Sequence, residues 1–270
     1  MTAREKLLKK FNDGLHICVG LDTDINKIPE FLREKPNALL EFNKAIIEAT
    51  KSETAAYKIN LAFYESLGQE GLLQMEETIK LIPDDIAVIG DAKRGDIGNT
   101  SKMYAKSLFD HFKFDCSTLH GYMGIDSLSP FFEYKDKLHF VLCLTSNPGA
   151  QDFEKLKLES GKFLYQEVLD RVKEWNTENN LGIVFGATND EELKANVGNF
   201  GDLIVLLPGI GAQKGNLEEV IKAFRNVDSN NYLINISRGI IYAGNDENFA
   251  EIAREALISY NYKIKDLTIT

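Results

Sequence analysis

Residues 86–96 are Ile86-Ala87-Val88-Ile89-Gly90-Asp91-Ala92-Lys93-Arg94-Gly95-Asp96, an apolar run followed directly by four charged side chains. Side chains alternate between the two faces of a strand, so Asp91 and Lys93 are expected on one side, roughly 7 Å apart along the backbone. Carboxylate and ammonium groups beside an apolar strand need partners, and here they can neutralise one another. The pattern predicts a buried strand ending in a polar site, although a surface ion-pair cluster would look the same.

Other short apolar runs alternate with longer segments of helical period. Together with Ile86–Ile89, the predicted strands are Leu15–Leu21, Ala55–Ile59, Cys116–Leu119, Leu138–Leu144, Leu181–Phe185, Leu203–Leu207 and Tyr232–Ile236. The predicted helices are 37–51, 67–81, 102–112, 163–176, 191–197, 217–226 and 246–260. Eight strands, most of them followed by a helix, predict an α/β fold of the (β/α)₈ TIM barrel type, and a doubly wound sheet is the alternative.

Length and composition favour a single domain. The chain has 270 residues and contains no low-complexity or Gly/Ser-rich linker segment, so residues 1–270 are expected to form a single barrel domain. A formal charge of −10 argues against nucleic acid or an anionic membrane as the main partner.

The first residues and the cysteines indicate a cytoplasmic protein. Residues 1–12 resemble an amphipathic helix rather than a signal peptide, and no apolar run is long enough to span a bilayer. The three cysteines, Cys18, Cys116 and Cys143, lie in apolar stretches without metal-ligand spacing, which is typical of free buried thiols in a reducing compartment.

Polar side chains recur where the predicted strands end. In a (β/α)₈ barrel the catalytic residues lie at the carboxyl ends of the strands, so these side chains are expected to meet at one mouth. They are Asp22, Lys58, Asp91, Lys93, His120, Ser146 and Asn147, followed by the loops 208–211 and 237–239. Each has an ordinary structural explanation when taken alone, such as a helix cap, a solvated strand end or a packing histidine.

The last two loops indicate a phosphate site. Pro208-Gly209-Ile210-Gly211 and Ser237-Arg238-Gly239 follow strands seven and eight, where such barrels bind phosphate through backbone N–H groups. Arg238 adds a cation that can bind phosphate with two hydrogen bonds, and Gln213 adds an amide donor. An ordinary turn remains the alternative for the first loop.

These residues resemble the orotidine 5′-phosphate decarboxylase family over nearly the whole chain. The most specific element is 91–100, which is similar to the family's Asp-x-Lys-x-x-Asp signature and the helix start after it. Supporting segments occur in the family's order: 19–22, 57–60, 63–65, 145–150, 208–213 and 237–240. The extended stretch 151–180 is more like the family's longer bacterial branch.

The resemblance implies decarboxylation of orotidine 5′-phosphate to uridine 5′-phosphate and CO₂, a step of pyrimidine biosynthesis, without metal or cofactor. It implies that Lys93 donates a proton to C6 and that Asp91 holds Lys93. The implied catalytic residues are Lys93, Asp91, Asp96 and Lys58. The implied substrate-binding residues are Asp22, Asn60, Thr100, Ser146, Pro208, Gln213, Ser237, Arg238 and Gly239. Asp22 would bind the ribose, Ser146 the pyrimidine, and Gln213 and Arg238 the phosphate.

The resemblance also implies a homodimer in which Asp96 and Thr100 reach the partner's site. Two other functions stay open. One is a magnesium-dependent decarboxylase of sugar-acid phosphates with the same signature. Lys58 argues against it, because it occupies a position where a metal site would prefer a carboxylate. The other is a phosphate-binding barrel without catalysis, which would be expected to lack Lys93 or Asp91.

Overall fold

The eight strands form a closed parallel barrel in a computed structural model that describes residues 1–210 and 215–269. Each strand pairs with its neighbours in chain order, and the first pairs with the last through Cys18 and Asn235. The strands are β1 Ile17–Gly20, β2 Ala56–Asn60, β3 Ala87–Arg94, β4 Cys116–Leu119, β5 Leu138–Leu144, β6 Leu181–Phe185, β7 Ile204–Pro208 and β8 Tyr232–Ile236. The predicted (β/α)₈ barrel is therefore confirmed, and the doubly wound alternative is wrong.

Helices surround the barrel in the connections between strands. They are α1 Ala3–Asn12, α2 Glu30–Arg33, α3 Ala38–Thr50, α4 Leu61–Glu65, α5 Gly68–Lys80, α6 Gly98–Lys106, α7 Ser129–Phe132, α8 Leu164–Trp175, α9 Asp190–Asn196, α10 Leu217–Arg225, α11 Arg238–Ile241 and α12 Phe249–Ile269. The predicted helix 102–112 is displaced: α6 begins at Gly98 and continues as a π-helical turn over Ser107–His111. None of the helices in the described ranges is long and apolar enough to cross a membrane.

The apolar core has two parts. The larger part lies between the outer faces of the strands and the helices. The smaller part fills the barrel interior, and it includes Ala3, Leu7 and Phe11 of α1. The helix begins with a capping box, in which the Thr2 hydroxyl accepts a hydrogen bond from the Glu5 backbone N–H and the Glu5 carboxylate accepts one from Thr2. Helix α1 thus closes the amino-terminal end of the barrel, opposite the mouth.

The three cysteines are buried and free, as predicted. Burial raises the pKa of each thiol, because removal from water disfavours the thiolate. They therefore serve as packing residues rather than nucleophiles.

Candidate active site

A row of alternating charges crosses the mouth of the barrel. The Lys58 ammonium lies 3.1 Å from Asp22 Oδ1 and 3.1 Å from Asp91 Oδ2. The other oxygen of Asp91 lies 2.6 Å from Lys93 Nζ. The structure thus brings together four predicted residues from the ends of β1, β2 and β3, which we call the charge row: Asp22, Lys58, Asp91 and Lys93.

Members of the charge row differ in their access to solvent. The side chain of Lys58 is 5% exposed, whereas that of Lys93 is 50% exposed. Burial alone would raise the pKa of Asp91, but the ammonium groups of Lys58 and Lys93 outweigh burial and hold the pKa below its ordinary value. Burial would likewise lower the pKa of Lys58, but Asp22 and Asp91 raise it above its ordinary value. Lys58 and Asp91 are therefore both ionised, and Lys93 is the more exposed of the two ammonium groups.

Strand β3 is irregular where it carries Lys93. Its pairing with β4 shifts register between Gly90 and Arg94, and Lys93 has a φ of 47°, a left-handed conformation that is uncommon for a lysine. Thr118 of β4 stabilises this backbone, because its hydroxyl oxygen accepts a hydrogen bond from Lys93 N–H at 3.0 Å. The same hydroxyl donates to Asp91 Oδ1 at 2.9 Å. The expectation of regular alternation from Asp91 to Lys93 is thus wrong in detail, although the two side chains do meet.

Asp22 is held from the end of β8. The Ser237 hydroxyl donates a hydrogen bond to Asp22 Oδ2 at 2.7 Å, and the Tyr242 hydroxyl donates to the backbone oxygen of Asp22 at 3.1 Å. Close contact between β1 and β8 makes this possible, because a Cβ on Gly20 would lie 2.0 Å from Ser237 Oγ. Ser237 therefore links the charge row to the loop that carries Arg238.

A polar cavity of about 250 Å³ opens beside the interior part of the charge row. Asp22, Lys58 and Asp91 line one side of it. Five predicted binding residues are also part of its lining: Asn60, Pro208, Ser237, Arg238 and Gly239. Asn60 also caps α4, since its side-chain oxygen accepts a hydrogen bond from Ala62 N–H at 3.2 Å. The predicted residues Gly211 and Gln213 lie outside the described residues.

A second cavity, of about 550 Å³, has Lys93 in its wall. Its wall is mostly apolar and includes Leu142, Tyr122 and Phe153, together with Thr145 and Glu154. Ser146 lies in the turn after β5, between Thr145 and Asn147, which both line this cavity. Asp91 thus lines a polar cavity, which suits a phosphorylated sugar, and its partner Lys93 lines an apolar one, which suits a planar base.

Asp96 and Thr100 lie apart from the charge row within this chain. The Asp96 carboxylate accepts a hydrogen bond from Ile97 N–H at 2.8 Å, and Thr100 is exposed on α6. His120 is exposed, and its Nδ1 accepts a hydrogen bond from Tyr122 N–H at 3.3 Å.

The sequence reasoning missed Thr118 and Tyr242. Thr118 had a usable signal, because it lies near the end of β4 next to the strand with the charged motif. Tyr242 had none, since its contact with Asp22 joins residues far apart in the chain.

Residues 15–252 match a family described as Orotidine 5′-phosphate decarboxylase / HUMPS family. The chain belongs to this family. The name of the family has two parts, and the curated relatives compared below have the first part as their name. A protein named orotidine 5′-phosphate decarboxylase from Herpetosiphon aurantiacus is 45% identical over 240 residues, which cover 88% of each chain. One of the same name from Dehalococcoides mccartyi is 47% identical over 243 residues, or 89% of this chain and 88% of that one.

Solved structures of the family have the same fold. The OMP decarboxylase of Leishmania donovani is 36% identical, covers all of both chains and superposes with a TM-score of 0.86. The UMP synthase of Leishmania donovani is 38% identical with a TM-score of 0.86, and the match covers 98% of this chain and 56% of that one. The family resemblance in the sequence is thereby confirmed.

Proposed function

We propose that this protein decarboxylates orotidine 5′-phosphate to uridine 5′-phosphate and CO₂ in pyrimidine biosynthesis. Family membership and the name shared by relatives of 45–47% identity support the reaction. The observation that carries the proposal is the Asp91–Lys93 pair, in which Asp91 lines the polar cavity and the accessible ammonium of Lys93 lines the apolar one.

Lys93 is the proton donor in this proposal. The bond from C6 to the carboxylate breaks, CO₂ leaves, and the electron pair remains on C6, where the ring offers no neighbouring electron sink. A fixed ammonium beside C6 stabilises that charge and then transfers its proton to the carbon. Neither step needs an oxidant or a reductant, and the ammonium itself stabilises the electron pair on C6. The proposed reaction therefore proceeds without metal or cofactor. Asp91 holds Lys93 in place through the 2.6 Å contact.

The remaining residues bind the substrate. Asp22 and Lys58 bind the ribose hydroxyls, Ser146 the pyrimidine, and Arg238 with Gln213 the phosphate. The polar cavity supports this division because its lining brings Asp22 and Lys58 within one space with Arg238. Asn60, Pro208, Ser237 and Gly239 complete the ribose and phosphate part of the site.

We propose further that two copies of the chain form a homodimer in which Asp96 and Thr100 reach the partner's site. Support comes from large exposed apolar side chains around these residues. They are Ile97, Met103, Tyr104, Tyr122, Met123 and Ile125, which are 38–75% exposed. Helix α6 contacts the turn that carries Ile125, and Ser101 donates a hydrogen bond to Ser127 O at 2.6 Å, so this is one surface. We name it the α6 surface. Patches of this kind are typical of interfaces.

The compartment that fits this proposal is the cytoplasm. The three cysteines are free and buried, which suits a reducing compartment.

The test is the ultraviolet absorbance change of orotidine 5′-phosphate with purified protein in excess chelator. We expect the wild type to convert the substrate and Lys93→Ala to lose at least a thousandfold in kcat, since the variant lacks the proton donor. Lys9→Ala, an exposed lysine on α1 at the opposite end of the barrel, is the control for loss of a charge. A folded wild type that is inactive without metal and active with magnesium would contradict the proposal.

A further inference from the structure

The turn after β5 is held by side chains as well as by contact with β6. The pairing of β5 with β6 shifts register between Leu142 and Leu144, directly before the turn Thr145–Ser146. A backbone bond from Gly186 N–H to Leu144 O, 2.7 Å long, precedes the turn. Because a register shift interrupts the regular ladder, the position of Ser146 depends on whatever binds the turn beyond it.

Glu154 binds the turn from one side. Its Oε2 accepts a hydrogen bond from Thr145 N–H at 2.7 Å. The Thr145 hydroxyl lies 2.9 Å from Oε1 and 3.0 Å from Oε2, and it donates to one of them at a time. Hydrogen bonds to a carboxylate are roughly twice as strong as those between neutral groups. The Thr145 hydroxyl has a second acceptor, Asn147 Oδ1, at 2.7 Å. The Thr145 N–H is therefore the group that binds Glu154 in every orientation of the hydroxyl.

Residues after β6 bind the turn from the other side. Asn189 Nδ2 donates to Thr145 O at 3.0 Å, and the Thr188 hydroxyl donates to Ser146 O at 3.2 Å. The backbones are in direct contact here, because a Cβ on Gly186 would lie 2.7 Å from Ser146 N. The turn thus rests against β6 and is fixed there by Glu154.

Glu154 is itself anchored. Its backbone oxygen accepts a hydrogen bond from Tyr165 N–H at 2.9 Å, which joins it to the start of α8. The next residue, Lys155, forms an ion pair with Glu192 of α9. The segment between β5 and α8 is therefore attached both to α8 and to α9. The Glu154 carboxylate binds the turn after β5.

We infer that Glu154 is a positioning residue that sets the place of Ser146 at the pyrimidine. The inference rests on the proposed function, because it uses the contact of Ser146 with the base. Glu154 takes no part in proton transfer. It acts through the Thr145 backbone, so its effect on substrate passes through Ser146.

A double-mutant cycle with steady-state kinetics tests this role. We expect Glu154→Ala to lower kcat/KM about tenfold, the usual size for loss of a hydrogen bond to a charged group. Glu154→Gln keeps an oxygen for Thr145 N–H and should stay within about threefold of the wild type. In a Ser146→Ala background, Glu154→Ala should cost less than about twofold, because coupled residues are not additive. Glu159→Ala, exposed in the same segment, is the matched control.

The outcomes separate this inference from the proposed function. If the wild type converts the substrate and Glu154→Ala lowers kcat/KM by the same factor with and without Ser146, Glu154 acts on the fold alone and the inference is wrong. Unchanged kinetics in Glu154→Ala would also overturn it. An inactive wild type would overturn the proposed function and this inference with it. Hydrogen exchange at 145–147 gives a second readout, since loss of the Glu154 contact should accelerate it.

Discussion

Asp91 is the residue on which the charge row depends, because each of its oxygens binds a different ammonium group. One faces the buried Lys58 and the other the accessible Lys93. Removing a partner from a buried ion pair leaves an uncompensated charge, which costs more than the pair contributes. Asp91 is therefore expected to affect both stability and catalysis.

Asp91→Asn tests this dependence. We expect a loss of about 3 kcal/mol in the free energy of unfolding, because Lys58 keeps only Asp22 as a counter-ion. We also expect kcat to fall at least a hundredfold, since Lys93 loses the carboxylate that orients it. Urea denaturation and the absorbance assay measure the two effects. Asp84→Asn, an exposed residue shortly before β3, should change neither, and equal behaviour of the two variants would refute the role of Asp91.

Because two histidines are buried, we expect the free energy of unfolding to decrease at acidic pH. Burial lowers the pKa of His16 to about 4, with its ring stacked between Phe11 and Tyr232, and burial lowers that of His139 to about 3. Between those values and the ordinary 6.5 the unfolded chain binds more protons than the folded one. Through these two histidines, the free energy of unfolding is highest above about pH 6.5 and falls as the pH decreases below it. The fall is at most about 1.4 kcal/mol per pH unit for each histidine.

The measurement is the free energy of unfolding at pH 7, 6 and 5. His16→Asn should reduce the slope with pH by the share of one histidine, whatever its effect on the stability at pH 7. An unchanged slope would show that His16 takes up no proton on unfolding.

Residue contacts within the site were predictable only in part. Asp22, Lys58, Asp91 and Lys93 could be found because each lies at a strand end, where the barrel brings them together. The contacts of Thr145 with Glu154 and Asn189 could not, because they join separate loops through ordinary polar side chains. Nothing in their spacing distinguishes them from solvated residues.

At the scale of elements, α1 stabilises the fold at the end of the barrel opposite the mouth and does not contribute to the site. Leu7 is fully buried in the cluster that fills the barrel interior, at the end opposite the charge row. We expect Leu7→Ala to lower the free energy of unfolding by about 2–5 kcal/mol through the cavity it leaves. The kcat at 25 °C should stay unchanged. Lys9→Ala, exposed on the same helix, is the control, and a large loss of kcat in folded Leu7→Ala would contradict the separation.

Strand bounds show where local pattern suffices. Four strands have the predicted bounds, including β4 and β8, and in these two the residue after the apolar run is no longer buried. Strand β3 continues to Arg94, five residues beyond the predicted end, since the Thr118 contact holds an irregular backbone there. The end of β3 thus depends on a contact with β4, and the pattern of residues along β3 alone gives no information about that contact.

At the scale of the whole molecule, the α6 surface predicts complementation between inactive variants. In the proposed dimer, Lys93→Ala and Asp96→Ala each damage both sites. A dimer with one chain of each variant has one site with Lys93 and the partner's Asp96 intact. Random reassociation of equal amounts should therefore restore about a quarter of the wild-type activity. Mixtures that stay inactive after verified subunit exchange would contradict a shared site.

Barrel closure sets the order in which the mouth can form during synthesis. The hydrogen bond between Ser237 and Asp22 joins residues 215 positions apart. At about 5–20 residues per second, the ribosome needs about 10–40 s to make the chain between them. Through that interval β1 has an open edge on its β8 side, and open edges pair with other chains. A nascent chain of this protein thus has its greatest need of chaperones before β8 is complete.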